Sequence, residues 1–307
     1  MAIDAPIDGV DVHIDLYTVR HGDSSTTYTR VTAMAETPFG LTLRIHQEGF
    51  FSNIGKKLGM QDVAVGHPEF DDLFVVKASD EDLARAWLVP EVTELLHGVV
   101  SWSHRLEGGM VSSMCVGFVE DVGELTRAAL AVARFAGRGG ALRADWDRVA
   151  QSLGGVMTGH LWRDGAPTIA LDRSGSTVRI ELARAALPSR RHRTGLVTRV
   201  CAERSGATRE PFVAARAGQL TEDDGQLVPP QQPGRFELRS RDPRATATRW
   251  DEGQRQTLEG LVPCAIVGTE SEVAILFGGL MLDVERLRSA VVIARQLAAA
   301  PASGPYR

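Results

Sequence analysis

Alternation of apolar and polar side chains is the first pattern along this chain. Residues 9–16 read G-V-D-V-H-I-D-L and residues 175–182 read G-S-T-V-R-I-E-L, and a period of two predicts a half-buried strand at each. A different spacing follows later. Val122, Leu125, Ala129, Val132 and Ala136 recur at helical intervals, as do Val284, Leu287, Val291, Ala294 and Ala298, so each set predicts one apolar helix face. Between them, residues 74–80 (F-V-V-K-A-S-D) and 236–242 (F-E-L-R-S-R-D) read as strands ending at Asp80 and Asp242. An aspartate there suits a helix N-cap, and Pro243 suits the first helical turn.

These pairs are one repeat. Shifting the chain by 162 residues lays 74–136 on 236–298 without a gap, with identities at Phe74/Phe236, Asp80/Asp242, Asp121/Asp283 and Leu125/Leu287. Upstream the match continues with gaps: Thr29-Arg30-Val31 corresponds to Thr198-Arg199-Val200, and Pro38-Phe39 to Pro211-Phe212 at a third strand. The second copy lacks roughly ten to twenty residues around 52–71. Each unit is expected to hold three strands, a fourth leading into a helix (about 81–97 or 243–260), further strands and a closing helix. That order predicts an α+β fold, a tandem duplication of an antiparallel sheet with two helices packed on it. The expected domains are a first repeat at 1–138, a linker at 139–174, a shortened second repeat at 175–300 and a frayed tail at 301–307. Gly137, Gly139 and Gly140 punctuate the first boundary, while Trp146, Val149, Ala150 and Leu153 give the linker a short helix and residues 168–171 a candidate strand.

Composition narrows the class. The chain has 307 residues, 43% apolar and 24% charged, which suits a globular protein of two ordinary domains. Its longest apolar run, residues 273–282, is far short of the ~20 residues a membrane-spanning helix needs. No basic-then-apolar leader opens the sequence, so a cytoplasmic protein is expected. Charge is unevenly spread: the first hundred residues carry 16 acids against 7 Lys and Arg, whereas residues 173–209 carry 9 Arg against 2 acids. Arg190, Arg191 and Arg193 form a candidate interaction surface, with no interleaved aromatic residues to stack bases, so nucleic acid is not the expected partner.

The span 58–88, L-G-M-Q-D-V-A-V-G-H-P-E-F-D-D-L-F-V-V-K-A-S-D-E-D-L-A-R-A-W-L, resembles an uncharacterised family of bacterial proteins. That family carries G-x-x-D-I-x-x-G-D-x-x-F-D-x-x-F-x-V followed by an acidic helix start. The likeness covers about residues 9–136 and departs at His67, where the family has aspartate. It implies an α+β fold and no reaction, cofactor or substrate.

The sharpest catalytic signal is Val19-Arg20-His21-Gly22-Asp23-Ser24, after a strand-like segment. It looks like the opening motif of the histidine phosphatase superfamily, which would make His21 the phosphorylated nucleophile and Arg20 a phosphate ligand. That chemistry also requires a second His-Gly at a strand end, and the other one here, His97-Gly98, follows a helical pattern. A hairpin turn built on Gly22, Asp23 and Ser24 is the simpler expectation. The eight histidines show no H-x-x-x-H or H-E-x-x-H spacing, and the acids Asp71, Asp72, Asp80, Glu81 and Asp82 lack the order of a calcium loop. Cys115, Cys201 and Cys264 form no C-x-x-C pair, and Cys115 and Cys264 sit in apolar, strand-like surroundings.

The sequence therefore predicts a non-catalytic binding or scaffold protein without cofactor or metal, acting on another protein or on itself. The alternatives are a divergent phosphohydrolase using Arg20, His21 and Gly22, and a polyanion binder using residues 190–193.

Overall fold

The computed structural model describes residues 2–37, 40–47, 61–159, 168–173, 176–186, 194–204, 211–216, 219–220, 226–227, 236–242, 252–261 and 265–299. Two compact units share the chain, the first running to Ala144 and the second starting at Asp145. Both are α+β.

The first unit holds β1 (Ala2–Ile7), β2 (Val10–His21), β3 (Ser24–Met34), β4 (Leu43–Gln47), β5 (Gln61–Asp62), β6 (Phe74–Ala78), β7 (Ser103–Glu107) and β8 (Met110–Val116). They form one sheet in the order β1-β2-β3-β8-β7-β4-β6-β5, each neighbouring pair antiparallel. Its helices are α1 (Pro68–Asp71), α2 (Glu81–Trp87), α3 (Pro90–His97) and the larger part of α4 (Val122–Leu153), whose residues from Asp145 onward belong to the second unit. The second unit holds β9 (Val156–Thr158), β10 (Thr168–Arg173), β11 (Ser176–Ala186), β12 (Thr194–Glu203), β13 (Phe212–Arg216), β14 (Gln226–Leu227), β15 (Phe236–Ser240), β16 (Ala265–Gly268) and β17 (Glu272–Gly278). With them go α5 (Glu252–Leu261) and α6 (Val284–Ala299), the latter packed on β11, β12 and β17.

Read from its far end, the second sheet runs β9 and then β10-β11-β12-β17-β16-β13-β15-β14. After β9 this is the order of the first sheet, strand for strand. The register agrees too. Ile14 faces Val31 as Ile180 faces Val200, Thr29 faces Cys115 as Thr198 faces Phe277, and Ser103 faces Met114 as Ala265 faces Leu276.

One side-chain device recurs with the register. The Thr29 hydroxyl donates to the Gly117 carbonyl at 2.8 Å and accepts from the Val119 amide at 3.0 Å. Thr198 does the same with Gly279 and Met281, at 2.9 and 2.8 Å. Both glycines have positive φ, 92° and 72°, so the chain turns back over the threonine as it leaves the strand. Thr29→Val and Thr198→Val should each cost about 1–3 kcal/mol, because a buried amide and carbonyl lose their partner. Urea unfolding of the two variants measures this, and a large loss in one with none in the other would show that the devices are not equivalent.

Several elements differ from the sequence expectation. The helix expected over 81–97 is two, because Pro90 lacks an amide and forces Val89 to an extended ψ of 163°. Asp80 caps α2, accepting from the Leu83 amide at 3.0 Å, whereas the residues following Asp242 lie outside those described. So do Pro38 and Phe39; the strand that shares register with Phe212 is β4, with Leu43 facing Ala78 as Phe212 faces Ser240. Val122 is 73% exposed, and the buried face of α4 starts at Ala128.

The first part of the linker expected at 139–174, residues 139–153, is the rest of α4, which runs unbroken through Gly137, Gly139 and Gly140. Ala136, Leu142, Trp146, Val149 and Ala150 are all buried. Packing of that continuous face outweighs the helix cost of the glycines.

Candidate functional site

Arg20 and His21 end β2 at the tip of a hairpin, where His21 pairs with Ser24 across Gly22 and Asp23. Gly22 has φ 58°, the left-handed conformation such a turn requires. Arg20 and Asp23 are exposed. His97 lies in α3 and Gly98 caps it, so that His-Gly is not at a strand end. Arg190, Arg191 and Arg193 fall in the connection from β11 to β12, the counterpart of this hairpin, and lie outside the described residues.

The acidic cluster serves the backbone. Asp71 accepts from the Val65 and Gly66 amides at 2.8 Å each, Asp80 caps α2, and Glu81 and Asp82 both reach Arg85. Residues of the 58–88 motif have parallel uses: Gly66 turns at φ 92°, and Phe70 and Phe74 stack in the core with ring centres 4.6 Å apart. His67 occupies the N-cap of α1 without making a side-chain cap bond. Cys201 is buried, which pushes its thiol up to about 12. Burial also raises the half-buried Cys115, and Cys264 lies outside the described residues. Among the described residues, no three His, Cys, Asp or Glu side chains converge as metal ligands.

What sequence reasoning missed is the polar face of the first sheet. A single rung crosses it, Asp4, His13, Thr32, Ser112, Arg105, Arg44, Lys77 and Asp62, each the direct cross-strand partner of the next. Three cations therefore stand side by side on β7, β4 and β6. Arg44 and Lys77 are only 26% and 22% exposed. Glu107 bridges Arg105 and Arg44, and Asp62 lies 3.8 Å from Lys77. Burial and the neighbouring Arg44 both disfavour the charged form of Arg105, whose buried Nε has no partner. Burial, then Lys77, lowers the His46 imidazole.

Further along the same face, Arg30 grips Asp15 with two bonds of 2.8 and 2.6 Å and lies over the Tyr17 ring. The Arg30 bond holds Asp15 below the usual carboxylate range. Beside the cation row is a cavity of about 140 Å³ lined by Tyr28, His46, Trp102, Ser103, Met114 and Val116, among others.

The second sheet fills the matching positions differently. By register, Arg105, Arg44 and Lys77 correspond to Val267, Val213 and Arg239. Val197, Cys201, Ala215, Ala265, Ala274 and Leu276 make part of that face a buried apolar cluster, while Arg199 on the same face pairs with Glu181 at 2.7 Å and with Glu272, in the place of Arg30 and Asp15. On the other face the contrast has the same sense: His104 and Ser113, buried and 2.7 Å apart, stand where the second sheet has Ile266 and Ile275.

Two larger cavities lie elsewhere. One of about 430 Å³ runs between α1 and α3, with His67, Glu69, Glu94 and His97 in its wall. Another of about 390 Å³ lies between the end of α4 and α6, where Arg288 and Arg295 donate to the Ser152 and Leu171 carbonyls at 3.0 Å.

No family model matches the chain, and no curated protein matches it as a relative. Among solved structures, the crystal structure of mycobacterial trehalose monomycolate transport factor A matches at 13% identity with a TM-score of 0.35. The match covers 52% of this chain and 98% of that one. Likeness of that size shows neither a shared family nor a shared function.

Proposed function

We propose that the chain is a non-catalytic binding protein that works through protein–protein contact and was built by internal duplication of one sheet unit. The observation that carries this reading is the common strand order and register of two sheets whose matching faces differ locally, with Arg105 and Arg44 in one where Val267 and Val213 stand in the other. Duplication keeps the positions a core needs and frees the rest. Two faces decorated differently on one scaffold suit contact with partners better than a single repeated chemistry does.

Arg190, Arg191 and Arg193 are the contact we assign to an acidic protein surface, a second copy of this chain included. A cytoplasmic setting belongs to the same reading; among the described residues no helix is long and apolar enough to cross a membrane. Contacts of this kind weaken with salt, because exposed charges are screened beyond about 8 Å at physiological ionic strength. Light scattering and pull-down at low and high salt, on the protein and on R190E/R191E/R193E, test it. The expected result is a partner or a larger mass that is lost in the variant and in salt. Equal mass and equal recovery throughout would overturn it. Turnover of a generic phosphomonoester abolished by His21→Ala would replace it with the phosphohydrolase reading.

A further inference from the structure

The row Arg105, Arg44, Lys77 is not a requirement of the fold. The second sheet has the same register and places Val267 and Val213 at the two arginine positions. Like charges directly opposite one another on neighbouring strands destabilise a sheet, and half-burying them adds a desolvation cost. Glu107 and Asp62 bring two negative charges to three positive ones, so the row keeps a surplus. One Arg105 donor, Nε, is buried without a partner.

A small cavity adjoins the row on the same face. His46 and Ser103 line it, and each stands two residues along its strand from Arg44 and Arg105, a step of about 7 Å. The cavity also has Tyr28, Trp102, Met114 and Val116 in its wall and a volume of about 140 Å³. A cavity of roughly 150 Å³ accommodates a benzene ring. Two guanidinium forks and an ammonium match the three terminal oxygens of a phosphomonoester, which accept several charge-assisted bonds at once.

We infer that this face of the first sheet is a binding site for a small organic phosphate, with the phosphate across Arg105, Arg44 and Lys77 and the organic group in the adjoining cavity. The site is independent of protein docking, since it is measured on the purified protein alone. Phenyl phosphate is the probe, titrated by calorimetry, with inorganic phosphate and benzyl alcohol as its separate halves.

The expected result is saturable binding of phenyl phosphate, tighter than that of either half. R44V/R105V, which installs the residues of the second sheet, should fold with an unchanged or higher unfolding midpoint. It should bind about tenfold more weakly or worse, as expected for loss of charge-assisted contacts. Lys77→Gln, a milder change, should weaken binding several-fold. No saturable binding by the unmodified protein, equal affinity in a folded R44V/R105V, or benzyl alcohol binding as tightly as phenyl phosphate would each overturn the assignment.

Discussion

Replacing His104 by isoleucine together with Ser113 by alanine should remove most of the acid sensitivity of the first unit and raise its stability below neutral pH. His104 is fully buried, its Nδ1 lies 2.7 Å from the Ser113 hydroxyl, and its Nε2 is buried without a partner. Burial pushes the imidazole down to about 3 from an ordinary value of 6.5. The group is thus neutral in the folded protein over a range where the unfolded chain protonates it. The unfolded state then binds more protons, so stability falls as pH drops from about 6.5 towards about 3. At 1.36 kcal/mol per pH unit, the loss across that window is on the order of 5 kcal/mol. The matching Ile266 and Ile275 show that this place in the sheet accepts an apolar pair. Alanine is chosen at 113 because a second isoleucine would overfill a site now holding a serine. His104→Ile alone is the poorer variant, since it leaves the Ser113 hydroxyl without a partner at a cost of about 1–3 kcal/mol. Urea unfolding from pH 4 to 7 measures the effect. Parallel pH slopes for the protein and H104I/S113A would mean that His104 is not buried as a neutral group.

That pair and the cation row were invisible for the same reason. His104, Ser113, Arg44, Lys77 and Arg105 are spread over 70 residues of sequence, and only the register of β4, β6, β7 and β8 brings them together. Period-two alternation assigns a residue to one face of its strand but says nothing of the rung it occupies. Identities at the 162-residue offset were more informative, because strands such as β6 and β15 and the starts of α4 and α6 mark both chain position and place in the fold. Asp8-Gly9, a two-residue turn with φ 51° and 80°, was a legible hairpin signal that reveals β1 ahead of the expected first strand. The glycines at 137–140 misled because glycine marks a turn in one setting and a close approach in another, and local sequence does not distinguish the two.

Gly139→Ala and Gly140→Ala, neighbours in the same helix, should therefore shift stability in opposite directions. A Cβ at Gly140 meets nothing within 4 Å, so the substitution brings only the better helix propensity of alanine, about 1 kcal/mol of stabilisation. A Cβ at Gly139 would overlap the Glu36 carbonyl oxygen and sit 3.1 Å from its carbon. Those are backbone atoms, and no rotamer change moves them. Either α4 or the segment after β3 must shift, and overpacking of this kind costs up to about 3 kcal/mol, which leaves about 2 after the propensity gain. The two variants should thus differ by about 3 kcal/mol in urea unfolding, with circular dichroism checking that each is folded. A linker at 137–140 would behave otherwise, because alanine in a solvated connection meets no wall and both substitutions would lie within about 0.5 kcal/mol of the parent. Two equal, small shifts would therefore restore the boundary that the glycines suggest, whereas opposite signs fix residues 137–140 inside one packed helix.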